Sequence, residues 1–134
     1  MNIAYLFPGQ GSQAVGMGKD LYDKSSEARR LFETADEILG FPLSKICFEG
    51  PEEELRLTRN TQPALLVVST AASRLLGRDP AVAAGHSLGE YSALVASGAL
   101  LFEDAVLLVH KRGRYMQEAV PVGIGGMAAV LGVP

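Results

Sequence analysis

Two rhythms of apolar residues run along this chain: short runs ended by glycine or proline, and longer stretches with apolar positions three or four apart. Asn2 to Phe7 is apolar and rich in strand formers, and Pro8-Gly9 stops it. The pattern predicts a strand there, with Pro8 to Gln13 as the loop that leaves it. Ala28, Leu31, Phe32, Ala35, Ile38 and Leu39 recur at helical spacing, with Ser25 or Ser26 as cap and Gly40 as stop. Leu43 to Phe48 reads as a short helical turn. Pro51 opens a further helix with Glu52, Glu53 and Glu54 in its first turn, where negative charge suits the helix dipole. Thr61 is placed to cap the next helix, with Pro63 in its first turn. The run from Ala64 to Leu76 is apolar nearly all round, as in a buried helix.

A second short strand is predicted over Ala81 to Ala84, followed by a helix from Leu88 to Ser97 made mostly of small residues. Glu90 is its only charge, so it is expected to pack closely and centrally on a sheet. Phe102 to Ala119 predicts a last helix, with Glu103 and Asp104 in its first turn and Pro121 behind it. Strands alternating with helices imply an α/β fold, a parallel sheet with flanking helices. Gly123-Ile124-Gly125-Gly126 reads as a hinge, and Met127 to Val133 as a new apolar strand with nothing after it to pair or cover it. Such a strand is a liability that complete proteins avoid. Residues 1–122 are therefore expected to form one unit and 123–134 to begin another, within a longer polypeptide.

At 134 residues the chain is long enough for one real core and short for two. A net charge of −3 offers no basic footprint for nucleic acid or an anionic membrane surface. The single cysteine, Cys47, excludes an internal disulfide and fits a reducing compartment. No cysteine or histidine stands near it at metal-binding spacing, so core filling is its expected role. Met1-Asn2-Ile3 lacks the basic start of a signal peptide, and no apolar run is long enough to cross a bilayer. A cytoplasmic protein is expected.

Gly85-His86-Ser87-Leu88-Gly89 carries the clearest chemistry. It is a G-x-S-x-G pattern between a predicted strand and a predicted helix, the order that a nucleophile elbow needs. Glycines on both sides allow a sharp turn and close approach of strand and helix. The serine then stands above a helix N-terminus, where unpaired N–H groups can hold an oxyanion. The bland alternative is a serine capping an ordinary helix.

One charge is misplaced in the last predicted helix. At about 100° per residue, Tyr115, Leu108, Ala105, Met116, Val109, Gly113 and Val106 form one apolar arc. Lys111, Arg114, Glu118, His110 and Gln117 lie opposite, and Arg112 falls within the arc. A buried guanidinium keeps its charge and needs an anionic partner. Two partners remain open: an internal carboxylate such as Glu90, or a carboxylate on a ligand.

Four segments together resemble the malonyl-CoA:acyl carrier protein transacylases and the acyltransferase domains of fatty-acid and polyketide synthases. They are Phe7 to Gln13, Thr61 to Ala64, Gly85 to Leu94, and Arg112-Gly113 with Met116 to Pro121, and they occur in family order. The resemblance runs along the whole chain yet covers well under half of the family's domain. It implies an α/β-hydrolase-like large subdomain, with the chain ending in the first strand of a ferredoxin-like small one. It also implies that Ser87 takes a malonyl group from coenzyme A as an ester and passes it to the phosphopantetheine thiol of acyl carrier protein. On this reading the N–H groups of Gln10 and Leu88 form the oxyanion hole and Arg112 holds the malonyl carboxylate. No cofactor is implied, coenzyme A thioester being a substrate. His86 is not the family's base, and His110 is expected to be solvated. The family's histidine base lies beyond Pro134, in the missing C-terminal half, so this segment alone is expected to be nearly inactive. The rival readings are a serine esterase of α/β-hydrolase type and a non-catalytic fragment that binds carrier protein.

Overall fold

Strands β1 (Ala4–Phe7) and β2 (Val82–Gly85) lie parallel, with Ala4 opposite Val82 and Phe7 opposite Gly85. The computed structural model describes residues 2–125 together with Val130 and Gly132. Bonds from Ala81 N–H to Ile3 O (2.8 Å) and from His86 N–H to Phe7 O (3.1 Å) extend the ladder at both ends. Both strands were expected, with slightly different limits. Gly85, expected in the turn, pairs within the ladder because its backbone still faces Phe7.

Five helices fill the crossover: α1 (Lys19–Lys24), α2 (Ser26–Leu39), α3 (Leu43–Glu49), α4 (Glu52–Arg56) and α5 (Thr58–Leu75). After β2 come α6 (Gly89–Ala96) and α7 (Phe102–Ala119). Ser25 caps α2, its Oγ accepting from Ala28 N–H at 3.2 Å, and Gly40 ends it in the left-handed region at φ 73°. α1 was not expected from the sequence. It is one short piece after a left-handed Gly18, and its support is tertiary, the Tyr22 ring packing edge-on against Phe32 and Phe48.

α5 departs from its expected start. It begins at Thr58, so Thr61 and Pro63 lie inside it rather than at its cap and first turn. The Thr61 hydroxyl donates to Leu55 O at 2.5 Å, which ties α5 back to α4. Pro63 has no N–H to donate to the Arg59 carbonyl four residues earlier. His110 of α7 takes that place, its Nδ1 lying 3.1 Å from Arg59 O. A carbonyl accepts only, so the ring nitrogen donates. His110, expected to be solvated, is instead half-buried with its ring 5.7 Å from that of Phe41. The far end of α5 is less enclosed than its composition implied, Leu76 being 63% exposed.

The main core lies among α2, α3, α5 and α7, around Phe32, Leu43, Cys47, Leu66, Val67, Val106 and Val109. A smaller cluster joins Tyr5 and Phe7 of β1 to Ala93 of α6. The opposite face of the two strands is open: Leu6 is 78% exposed and Val82 61%. Pro121 to Gly125 turns back on itself, with Ile124 N–H on Pro121 O at 3.2 Å. The strand expected from Met127 to Val133, and with it the second unit over 123–134, lies mostly outside the described residues. No helix among the described residues is long and apolar enough to cross a membrane.

Cys47 fills core, as its isolation in the sequence implied. Burial, reinforced by the Asp36 carboxylate, pushes its thiol from an ordinary 9.0 up to about 12. The folded state therefore keeps a proton that the unfolded chain releases, and stability tied to this thiol is whole below pH 9 and falls as pH rises toward 12. Stability to denaturant is expected to fall above pH 9 by up to about 1.4 kcal/mol per pH unit more in the native protein than in Cys47→Ala. Iodoacetamide at pH ~8 is expected to label Cys47 only after unfolding.

Candidate active site

The backbone between β2 and α6 turns at Ser87, whose φ of 53° is the one left-handed non-glycine conformation among the described residues. A strained serine of this kind costs roughly 1–3 kcal/mol and persists only where its surroundings enforce it. Here they do. A Cβ on Gly85 would lie 1.9 Å from the Gly89 carbonyl carbon, and one on Gly89 would lie 2.3 Å from Phe7 O. Strand, turn and helix are pressed together so closely that only hydrogen fits. Gly89 N–H bonds to His86 O at 2.9 Å and Glu90 N–H to Ser87 O at 3.2 Å, closing the bend into α6. Ser87 itself is exposed.

The loop after β1 runs against this bend. A Cβ on Gly9 would meet His86 O at 2.7 Å and His86 Nδ1 at 2.8 Å. The His86 ring thus lies over Gly9 and makes no hydrogen bond to Ser87. Gln10, the next residue, is brought into the same region. Neither the Gln10 N–H nor the Leu88 N–H is paired with another described residue, so both remain available as donors.

Arg112 lies at the edge of the buried face of α7. Phe102, Ala105, Val106, Val109 and Gly113 are buried, whereas Leu108 is 45% and Tyr115 66% exposed. The apolar arc read from the sequence is therefore enclosed on one half only, and Arg112 is half-buried on the other. Its Nη2 donates to Ser87 Oγ at 3.1 Å, its Nη1 donates to Gln62 Oε1, and its Cζ lies 5.6 Å from the centre of the Tyr91 ring. Glu90, the internal partner left open above, is exposed and forms no ion pair with it. Among the described residues Arg112 is the one side chain hydrogen-bonded to Ser87 Oγ, and no histidine or carboxylate stands there to take its proton.

Four residues of this arrangement carried no role in the sequence reading: Gln62, Thr58, Tyr91 and Gln117. Gln62 is fully buried and donates through Nε2 to Gln10 Oε1 at 3.1 Å. Gln10 Nε2 in turn donates to Thr58 Oγ1 at 3.2 Å, and Thr58 N–H donates to Gln117 Oε1 at 2.9 Å. A line of hydrogen bonds thus runs from the start of α5 through the loop to Arg112 and Ser87. A polar amide just before a long apolar helical run was the available signal for Gln62. A cleft of about 650 Å³ borders this line at Gln10, Thr58 and Gln117, with Met116, Val120 and Val122 as apolar lining. Ser87 does not line it. Among the described residues no three His, Cys, Asp or Glu side chains are grouped to hold a metal ion.

Comparison with known proteins places the arrangement in context. The acyl transferase domain family matches residues 4–132. The malonyl CoA-acyl carrier protein transacylase of Bacillus subtilis is 60% identical over 134 residues, covering 98% of this chain and 42% of that protein. The crystal structure of an acyl-carrier-protein S-malonyltransferase from Burkholderia pseudomallei superposes with a TM-score of 0.87 at 48% identity, covering 99% of this chain and 44% of that one. A malonyl-transacylase solved in complex with a type II PKS acyl-carrier protein superposes with a TM-score of 0.85 at 47% identity, covering 90% of this chain and 40% of that one. The chain thus spans about two fifths of the length of these relatives.

The bend makes a physical demand that can be measured. Gly89→Ala is expected to cost roughly 3 kcal/mol or more in denaturant unfolding, because overpacking here meets backbone that cannot give. Gly98→Ala is the comparison, since Gly98 has a φ of 74° but open space around it. It is expected to cost only about 1–2 kcal/mol. The reverse order would show that the elbow is not held by close approach.

Proposed function

We propose that this chain, which belongs to the acyl transferase domain family, carries the nucleophile and the carboxylate clamp of a malonyl-group transferase. The observation that carries this reading is the Arg112 guanidinium, 3.1 Å from Ser87 Oγ and held by uncharged groups. In a malonyl thioester a single methylene separates the reacting carbonyl from the carboxylate. A cation adjoining the nucleophile therefore suits a short dicarboxylic acyl group, and a plain ester substrate has nothing to offer it. The esterase reading accounts for Ser87 but leaves Arg112 without a task.

In the proposed reaction Ser87 Oγ attacks the thioester carbon and loses its proton. The carbonyl oxygen becomes an oxyanion held by the N–H groups of Gln10 and Leu88. Collapse of this intermediate breaks the C–S bond, coenzyme A leaves as its thiol, and malonyl remains on Ser87 as an ester. The phosphopantetheine thiol of an acyl carrier protein then attacks that ester and restores the serine. The carrier-protein partner is supported by the related malonyl-transacylase solved with one. Arg112 binds the malonyl carboxylate throughout with two parallel N–H bonds, about 1.5–3 kcal/mol of binding.

The proton from Ser87 needs a base, and a serine hydroxyl without one is a weak nucleophile. We assign that base to a histidine in the portion of the family's domain that lies outside this chain. A reducing compartment, the cytoplasm, is consistent with the lone buried thiol of Cys47.

Two outcomes follow. In the full-length protein, Arg112→Ala is expected to lower malonyl transfer about 10–100-fold relative to acetyl transfer in kcat/KM. An unchanged ratio would assign Arg112 to structure alone. With radiolabelled malonyl-CoA, the segment by itself is expected to acquire label at least about 10³-fold more slowly than the full-length protein. Labelling at the same rate would place the base within this chain.

A further inference from the structure

The other cations with partners, Lys19, Arg56, Arg74 and Arg114, each face a carboxylate at an exposed position. Arg112 is half-buried and has none among the described residues. Its three neighbours, the Gln62 amide, the Ser87 hydroxyl and the Tyr91 ring, orient a guanidinium without cancelling its charge.

The directions of the Gln62 and Gln10 amides follow from Arg112. A guanidinium only donates, so Gln62 must turn its carbonyl toward it and its NH2 away. That NH2 meets Gln10 Oε1 at 3.1 Å, which turns the Gln10 NH2 toward Thr58 Oγ1 at 3.2 Å. Gln62 is fully buried and lies on α5, the helix that packs along α7. Its position is therefore set by the core, and the guanidinium's position is set by it.

We propose that Gln62 is a positioning residue that determines acyl specificity: a neutral holder that aims Arg112 beside Ser87 while leaving its charge for the substrate's carboxylate. This rests on the reading of Ser87 and Arg112 as nucleophile and clamp. A glutamate of the same length at this position would bind the guanidinium more strongly. It would also neutralise it, and the substrate's carboxylate would then meet an occupied cation. The fold can accept that exchange. Gln10 flips its amide to donate to the new carboxylate, and the Thr58 hydroxyl, able to donate as well as accept, follows. The substitution Gln62→Glu thus changes the charge at the clamp and little else.

The test uses the full-length protein, with Gln62→Glu and Gln62→Met beside the native residue. Kinetics with malonyl-CoA and acetyl-CoA, and calorimetric titration with free malonate, are the readouts, with far-UV circular dichroism as the check on folding. Gln62→Glu is expected to lower the malonyl-to-acetyl ratio of kcat/KM at least tenfold, chiefly by raising KM for malonyl-CoA, and to weaken malonate binding by a similar factor. Gln62→Met removes the holder but keeps the charge free, so its malonyl KM is expected to rise by a smaller factor. A ratio within twofold of native in the glutamate variant overturns the proposal. So does an equal fall for both thioesters carried by kcat, which marks a packing residue. If the glutamate variant does not fold, native malonyl kinetics in the methionine variant overturn it, and a raised malonyl KM supports it. A native protein that transfers neither acyl group contradicts the function proposed above. The role of Gln62 is then decided by malonate titration: weaker binding in Gln62→Glu supports it and unchanged binding overturns it.

Discussion

The close approach of three backbone segments at the end of β2 is the constraint on which the site depends. Gly85, Gly89 and the Phe7 carbonyl occupy space that no side chain can share. Their contact forces Ser87 into a left-handed conformation and holds its hydroxyl outward. The same crowding draws the loop after β1 across His86, so that Gln10 lies in the region of the serine. Strain at one residue and proximity between two distant loops thus have a common cause. The cost is met elsewhere, in the core among α2, α3, α5 and α7 that holds the helices in place.

Electrostatics complete what the backbone begins. Arg112 projects from the half-buried flank of α7 and is fixed by partners that carry no charge. Cations on protein surfaces are commonly paired with carboxylates, each pair worth about 0–1 kcal/mol. A partly buried cation without one is a different object, since its charge is felt more strongly than in water and stays available to an incoming anion. Tyr91 contributes here because an aromatic face attracts a guanidinium while leaving its edge N–H groups free.

Much of this was legible in the sequence, and the reasons for what was not are specific. Ser87 stood out because the G-x-S-x-G pattern falls between a strand-like and a helix-like run, and glycine spacing reports backbone crowding directly. The limits of α7 were read correctly, since its charged first turn and Pro121 mark both ends. Arg112 was visible as a charge within an apolar arc, yet helical periodicity cannot tell an enclosed half of an arc from an open one. Gln62 was quoted as part of a motif without a role, because its partners, Gln10 and Arg112, are remote in sequence. The start of α5 was misplaced for a related reason. Thr61 has the look of a cap, but its hydroxyl bonds back to Leu55, and His110 supplies the donor that Pro63 lacks. The open face bearing Leu6 and Val82 could not be read from strands so short, in which alternation is too brief to show which side is covered.

The central claim is that a strained serine beside a charge-retaining arginine accepts a short dicarboxylic acyl group. Mass spectrometry of proteolytic peptides from the full-length protein, quenched in acid after brief exposure to malonyl-CoA, tests it most directly. The account predicts a malonyl adduct on the peptide containing Ser87, at the serine itself, and a much smaller adduct from acetyl-CoA at equal concentration. Malonyl on a different residue, or equal loading by the two thioesters, would contradict it.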